Sequence, residues 1–299
     1  MSSAVSAGLA GSPSWFTEAI GTPVQTATLS VDGVAIAYRA WGEPGEGGLV
    51  LVHGGAAHAR WWDHIAPLLA HDRRVAALDL SGHGDSGRRE SYTLEEWARE
   101  VMAVAVHAGI PEPPTVIGHS LGGFVALRTA SLYGANVAGA VVIDSPVRDV
   151  APEERAAREQ RAFGPLRVYA TREDAIARFH PIPDQPTLPY VREHVAATSI
   201  RAVPGGWSWK FDPRIFARHH LTPHWLTRLD CRVALFRAEH GILSPQMSAI
   251  MYDRLGRVAP EIEIPAAGHH VMLDQPIALV TGIRTLLSDW EHSLPAQPQ

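Results

Sequence analysis

Short apolar runs alternate with helical patterns along most of the chain. Several runs lack any alternation of apolar and polar positions, which is typical of strands buried on both faces of a sheet. They cover residues 48–53, 74–80, 115–118, 137–143, 231–237 and 261–264, and helical spacing covers about 93–108, 121–133 and 276–290. This alternation predicts an α/β fold with a mainly parallel sheet and helices on both faces. A hairpin over 27–38, turning at Asp32-Gly33, precedes it.

Residues 145–230 interrupt this rhythm. They hold helical patterns at 152–161 and around 171–179 and a proline-rich stretch at 181–186, but no pattern of a central strand. A segment this long is not a plain loop, and we predict a helical cap over the carboxyl edge of the sheet, where ligands bind in such folds. The predicted division is a leader at 1–23, a core at 24–145 and 230–293, a cap at 146–229 and a frayed tail at 294–299.

Composition narrows the class of protein and its partners. Of the 299 residues, 46% are hydrophobic and 19% charged, which is typical of a folded globular chain. The net charge of −5 favours neither nucleic acid nor an anionic membrane as a partner. No segment has the pattern of a membrane span or a signal peptide, so we predict a cytoplasmic protein. Cys231 is the single cysteine, which excludes an internal disulfide.

The sequence gives no reason to expect a metal or a cofactor. No G-x-G-x-x-G follows the first predicted strands, and no G-K-[ST] is present, so neither a dinucleotide nor a P-loop is implied. His219, His220 and His224 lie close together in sequence, but Pro223 interrupts the segment and no carboxylate or cysteine stands at ligand spacing. We therefore predict no metal site.

The strongest chemical signal is the pentapeptide Gly118-His119-Ser120-Leu121-Gly122, a G-x-S-x-G pattern. A predicted strand leads into it and a predicted helix follows, as a nucleophilic serine on a strand-to-helix turn requires. The two glycines let strand and helix approach closely. The helix N-terminus then directs free N–H groups and the positive end of its dipole toward the serine. Ser120 is therefore the candidate nucleophile.

With three further motifs in the same order, the chain resembles the α/β-hydrolase superfamily over roughly residues 24–292. His53-Gly54-Gly55, followed by Trp62, resembles the oxyanion loop of that family, and residues 79–86 resemble a structural stretch of it. Gly268-His269 resembles the turn that bears the catalytic histidine. The resemblance implies an eight-stranded, mainly parallel sheet with helices on both faces and a helical cap inserted between the sixth and seventh strands.

The resemblance also implies roles for individual residues. A serine hydroxyl is a poor nucleophile at neutral pH and needs a base, for which His269 is the candidate. His270 is adjacent, but the Gly-His pattern selects His269. A tetrahedral oxyanion needs two aimed donors, and the backbone N–H groups of Leu121 and Gly55 are the candidates.

The acid that would orient His269 is where the sequence departs from the family pattern. The family usually carries it after the penultimate strand, where Gly241 or His240 stands here. Asp144 ends an earlier strand, at the position that one branch of the haloalkane dehalogenases uses, and Glu239 lies two residues before the usual position. We favour Asp144, because a residue at a strand end points along the sheet edge toward the site, and we keep Glu239 as the alternative.

Five residues are predicted to line the substrate pocket, three of them beside the nucleophile and two in the predicted cap. They are Gly54, Trp62, His119, Trp207 and Trp209. With Phe211, Phe216 and Trp225, the two cap tryptophans either wall an apolar pocket or hold the cap on the core.

The predicted function is that of a serine hydrolase that cleaves a small apolar carboxylic ester or lactone through an acyl-enzyme, with water as the only co-reactant. A carbon–carbon bond hydrolase of a β-diketone or ring-cleavage product would use the same residues and remains an alternative. A second alternative is a catalytically weak, ligand-binding member, favoured by the missing aspartate near Gly241. An epoxide hydrolase or haloalkane dehalogenase needs a carboxylate where Ser120 stands, and is set aside.

Overall fold

A computed structural model describes residues 11–44, 47–149, 151, 153, 156–157, 165–217 and 223–293. The strands are β1 (Gln25–Val31), β2 (Val34–Trp41), β3 (Gly48–Val52), β4 (Arg74–Leu78), β5 (Thr115–His119), β6 (Gly139–Ile143), β7 (Ile200–Val203), β8 (Gly206–Trp209), β9 (Arg232–His240) and β10 (Glu261–Gly268). The helices are α1 (Ser14–Gly21), α2 (Ala66–Leu69), α3 (Leu94–His107), α4 (Leu121–Tyr133), α5 (Arg172–Ala177), α6 (Pro189–Thr198), α7 (Pro245–Arg254), α8 (Val271–Asp274) and α9 (Pro276–His292).

Eight of the strands form one sheet in the order β1-β2-β4-β3-β5-β6-β9-β10. The pairs β1–β2 and β2–β4 are antiparallel, and all other neighbours in this sheet are parallel. The predicted hairpin turns at Asp32 and Gly33, which both adopt the positive φ that a tight hairpin turn needs. The predicted fold class, an eight-stranded and mainly parallel sheet, is therefore confirmed.

Apolar side chains fill both faces of the sheet. On one face, α3 and α4 cover a cluster that contains Trp97; on the other, α9 and the N-terminal helix cover a cluster that contains Phe16 and Trp62. A capping box begins α3, since the Thr93 side chain accepts from Glu96 N–H and the Glu96 carboxylate accepts from Thr93 N–H. Within the described chain, no helix is both long enough and apolar enough to cross a bilayer.

The segment between β6 and β9 contacts the loops at the carboxyl ends of the parallel strands. Leu188 N–H donates to the carbonyl of Leu273, Gly84 N–H donates to the carbonyl of Lys210, and His58 Nε2 lies 2.9 Å from Ser199 Oγ. Where it is described, this segment holds α5 and α6, and the predicted helix at 152–161 lies largely outside the described residues. The purely helical prediction misses the antiparallel pair β7–β8, because strands of four residues are too short to show a period.

Close packing at Gly118 and Gly122 sets the path of the chain through the β5–α4 turn. A Cβ atom at Gly118 would overlap the carbonyl of Gly122, and one at Gly122 would overlap the carbonyl of Val52 on β3. These are backbone atoms of buried elements, α4 and β3, and they cannot move aside as a flexible side chain can. Because Gly118 and Gly122 lack side chains, helix α4 can start directly against the ends of β3 and β5.

We expect Gly122→Ala to lower the free energy of unfolding by about 3 kcal/mol or more, because the added methyl group meets backbone rather than side chain. Urea denaturation measures the change. Gly21→Ala is the matched control, since a Cβ there has nothing within 4 Å, and its effect should stay within about 0.5 kcal/mol. Equal midpoints for the two variants would contradict the packing role of Gly122.

Candidate active site

Ser120 lies on a strained turn between β5 and α4. Its φ of 53° and ψ of −113° fall in a region that non-glycine residues seldom adopt, at a cost of about 1–3 kcal/mol. The turn is held by its N–H, which donates to the carbonyl of Ile143 at 2.9 Å. Ser120 is partly exposed, although its strand and the helix after it are buried. This conformation presents the hydroxyl at the sheet edge, beside the N-terminus of α4.

His269 follows the last residue of β10 and links Ser120 to Asp144. Its Nε2 lies 3.1 Å from Ser120 Oγ, and its Nδ1 lies 2.7 Å from Asp144 Oδ2. An ionised carboxylate can only accept, so Nδ1 carries the proton and donates to Asp144. That leaves the Nε2 lone pair to accept from the Ser120 hydroxyl. The three residues thus form a continuous hydrogen-bonded chain in the order that nucleophile activation requires.

Of the two acids that the sequence left open, Asp144 lies at the site and Glu239 does not. Asp144 is fully buried, and besides His269 it accepts from the N–H groups of Ile242 at 2.8 Å and Leu243 at 3.2 Å. The Glu239 side chain is exposed and accepts from Ala266 N–H instead.

The N–H groups that donate to Asp144 belong to the loop after β9, which is where the family pattern places its acid. A Cβ at Gly241 would overlap the carboxylate of Asp144, so the glycine leaves the space that Asp144 fills from the neighbouring strand. Asp144 itself has a φ of 44°, which turns its side chain off the end of β6. The missing side chain at Gly241 is therefore matched by a carboxylate that reaches the same space from the neighbouring strand.

His53 orients the peptide unit that joins Gly54 to Gly55. Its Nε2 accepts from Leu80 N–H at 3.1 Å, so its Nδ1 carries the proton and donates to the Gly54 carbonyl at 2.7 Å. In a trans peptide the carbonyl and the following N–H point in opposite directions, so this bond turns Gly55 N–H away from His53. A Cβ at Gly55 would lie 3.9 Å from Leu121 Cβ, which puts the two predicted oxyanion donors on adjacent stretches of backbone.

Two buried histidines pack against His269. The ring centroids of His119 and His270 lie 4.7 and 4.6 Å from that of His269. His119 Nε2 donates to the carbonyl of His269 at 2.8 Å and so supports the loop that carries the base. Burial, followed by repulsion from neighbouring histidines, holds the pKa of His119 well below its usual value, and burial lowers that of His270 to about 3.

The loop after β10 is also fastened by a residue that the sequence did not single out. Gln185 Oε1 accepts from His270 N–H at 2.8 Å, and Gln185 Nε2 donates to Asp274 Oδ2 at 2.8 Å. Gly268 N–H donates to the same carboxylate oxygen of Asp274. No sequence pattern marks Gln185, because its partners lie about 85 residues further along the chain.

The predicted pocket residues have different surroundings. The Trp62 side chain is fully buried in the core, whereas the ring of Trp61 lies 5.5 Å from that of His270. A row of aromatic contacts continues from Trp61 to Phe179 at 6.0 Å and on to Trp209 at 6.3 Å. Trp209 also lines an open cavity of about 570 Å³, whose lining includes none of the Ser120, His269 and Asp144 residues.

The other tryptophans of the inserted segment lie apart from these residues. Trp207 pairs through its backbone with Ala202 and Tyr169. Trp225 is half-exposed and stacks under Arg128 of α4. Of the aromatic residues predicted for the cap, Trp209 is thus the one joined by ring contacts to the surroundings of His269.

Several known proteins are similar to this chain. The model of the Alpha/beta hydrolase family matches residues 49–282. Esterase Rv0045c of Mycobacterium tuberculosis is 27% identical over 268 residues, which cover 86% of this chain and 88% of that protein. Pimeloyl-[acyl-carrier protein] methyl ester esterase of Methylococcus capsulatus is 36% identical over 103 residues, 34% of this chain and 39% of that protein.

A solved structure shares the fold. E-2-(Acetamidomethylene)succinate hydrolase superposes with a TM-score of 0.76 at 19% identity, covering 89% of this chain and 100% of that one. The family match contains the Ser120 turn, Asp144 and His269. Since that match spans most of the sequence, the chain belongs to the alpha/beta hydrolase family and is a hydrolase.

Proposed function

We propose that the protein cleaves a carboxylic ester or lactone, with Ser120 as nucleophile, His269 as base and Asp144 as the acid that orients the base. The hydrogen-bonded chain from Ser120 through His269 to Asp144 carries this proposal. The names of the relatives, an esterase and a methyl ester esterase, favour an oxygen ester as the substrate.

In the proposed acylation, Ser120 Oγ attacks the ester carbonyl while His269 Nε2 takes the hydroxyl proton. Asp144 stabilises the imidazolium that forms and keeps Nδ1 pointing at itself. The carbonyl oxygen becomes an oxyanion, which accepts from the N–H groups of Leu121 and Gly55. Removing one such donor typically raises the barrier by about 3–4 kcal/mol. Collapse of the intermediate expels the alcohol, which leaves with the proton from His269.

Deacylation repeats these steps with water. His269 takes a proton from a water molecule, which attacks the acyl carbonyl, and returns it to Ser120 Oγ as the acid leaves. The surroundings of the base suit this chemistry, since Asp144 is the charged group that His269 contacts and the adjacent His119 and His270 stay neutral.

The segment between β6 and β9 would act as the cap that covers the site, with the core at 24–145 and 230–293. Its contacts with the loops after β3, β4 and β10 support this role. The aromatic row formed by Trp61, Phe179 and Trp209 would provide an apolar wall for the acyl or alcohol group. Gly54 lies beside the nucleophile, because a Cβ there would be 3.4 Å from Ser120 Cβ, and His119 is the residue before Ser120.

Ser120 should react with a fluorophosphonate probe, because the probe requires a serine activated by a neighbouring base. Intact mass spectrometry should show one adduct per chain, and peptide mapping should place it on Ser120. The Ser120→Ala chain should gain no mass. An unmodified wild-type chain would contradict the hydrolase mechanism and favour a ligand-binding protein instead.

Asp144→Asn should lower kcat for a p-nitrophenyl ester by about four orders of magnitude, since an amide cannot hold Nδ1–H toward itself or stabilise the imidazolium. Glu239→Gln is the matched control and should keep near-normal kcat, because Glu239 contacts Ala266 N–H rather than His269. The reverse pattern would show that Glu239 is the acid. A panel of esters, lactones and β-diketones would then separate ester hydrolysis from carbon–carbon cleavage.

A carboxylate on the loop after β9 should be able to replace that of Asp144 beside His269. A Cβ at Gly241 would lie 2.4–2.5 Å from the carboxylate atoms of Asp144, so the side chain of an aspartate there extends into the same space once Asp144 is removed. We expect the double variant Asp144→Gly, Gly241→Asp to have a kcat/KM at least about tenfold above Asp144→Gly alone. Glycine is chosen at 144 because the φ of 44° suits it. Equal values for the two variants would contradict this geometry.

A further inference from the structure

Three histidines of the active site come together in a way that the hydrolytic mechanism does not use. One ring nitrogen of each of His119, His269 and His270 lies within 4.8 Å of one nitrogen of each of the others. All three side chains are buried, at 1%, 3% and 8% exposure. They belong to two chain segments, the end of β5 and the turn after β10. Strands β6 and β9 separate β5 from β10 in the sheet, and the turn after β10 reaches across the sheet edge to His119, whose Nε2 bonds to the His269 carbonyl.

Hydrogen bonds decide which nitrogens are free to bind a ligand. His119 Nε2 and His270 Nε2 each lie within hydrogen-bond distance of a backbone carbonyl, that of His269 and that of Ile182, so each must carry its proton there. In the neutral ring, Nδ1 then carries no proton and has a free lone pair. Both of these buried Nδ1 atoms lack a partner in the part of the chain that is described. His269 adds a third lone pair on Nε2, because its Nδ1 proton is held by Asp144.

We propose that His119, His269 and His270 form a binding site for a transition-metal ion such as Zn²⁺, and that the ion inactivates the hydrolase by occupying Nε2 of His269. Neutral imidazole is a preferred ligand of Zn²⁺, Cu²⁺ and Ni²⁺, whereas Mg²⁺ and Ca²⁺ prefer oxygen. The sequence predicted no metal, because the three histidines are not at a recognisable ligand spacing and two of them were assigned other roles.

The distances between the three nitrogens determine how far the histidine rings must move when the ion binds. Zinc–nitrogen bonds of 2.0–2.1 Å in a tetrahedral site put ligand nitrogens about 3.3 Å apart, so nitrogens that lie within 4.8 Å of one another must approach by at most about 1.5 Å. Three histidines leave the fourth position to a water molecule or to Ser120 Oγ. In either case the hydroxyl of Ser120 loses its acceptor, since the lone pair of His269 Nε2 is taken. The inhibitory effect rests on the proposed function, but the metal site does not.

Metal binding is tested first on the full chain after removal of metal with a chelator. Co²⁺ should give the visible d–d absorption of a low-coordinate site, and Zn²⁺ should displace it at one ion per chain. The Ser120→Ala chain should bind Co²⁺ as well, so this readout is independent of hydrolysis. Zn²⁺ should also abolish fluorophosphonate labelling of wild-type Ser120, excess chelator should restore it, and Mg²⁺ should leave it unchanged.

Two variants locate the ion. His270→Gln should weaken Zn²⁺ binding by about tenfold or more, measured by competition with a chromogenic chelator. His224→Gln is the matched control, because His224 is exposed and belongs to the other histidine-rich stretch. Unchanged affinity in His270→Gln, or loss of affinity in His224→Gln, would overturn the proposal. If a thermal melt shows that His270→Gln is unfolded, His119→Gln takes its place with the same expected loss.

Failure of the metal site and failure of the proposed hydrolase give different results. No Co²⁺ band together with normal fluorophosphonate labelling overturns the metal site alone. A Co²⁺ band in a metal-free chain that never reacts with the fluorophosphonate keeps the metal site and overturns the serine mechanism.

Discussion

The buried carboxylate of Asp144 is the interaction on which the arrangement of the active-site loops depends. A carboxylate in a protein interior raises the free energy of the fold by several kcal/mol unless hydrogen bonds replace its lost water. Its oxygens accept from Ile242 N–H, Leu243 N–H and His269 Nδ1. These donors lie after β9 and β10, whereas Asp144 ends β6. Satisfying one charge therefore draws three adjacent strand ends together and fixes the orientation of the imidazole.

The same constraint explains why the loop after β9 contains a glycine. That loop provides two N–H donors to Asp144, and a side chain at Gly241 would occupy the space of the carboxylate. An acid on β6 and a side chain on this loop thus exclude each other. In the proposed mechanism the neighbouring strand β6 supplies the acid, so the departure from the family pattern at Gly241 does not by itself indicate a loss of activity.

How much could be predicted from the sequence depends on whether the deciding interaction is local. The core strands, the capping box at Thr93 and the Ser120 turn follow from residues close together in the chain, and the structure agrees with them. The sequence left the choice of acid between Asp144 and Glu239 undecided, because that choice depends on where β9 ends. The strand extends to His240, so Glu239 lies within its exposed end. The hairpin β7–β8 and the contacts of Gln185 escaped prediction for similar reasons, since short strands and long-range partners leave no period.

Burial has opposite effects on the groups around the base. It would destabilise the Asp144 carboxylate, whose oxygens accept from backbone N–H groups instead of water, and it lowers the pKa of His53 to about 4 and of His270 to about 3. In the proposed mechanism His269 becomes an imidazolium, and a cationic ring about 5 Å away would oppose that step by about 3–4 kcal/mol at an effective dielectric constant near 20. Because the neighbouring rings stay neutral, they can pack against His269 and hold its loop without that penalty. Because the rings of His119 and His270 are neutral, each also keeps one unprotonated nitrogen beside His269.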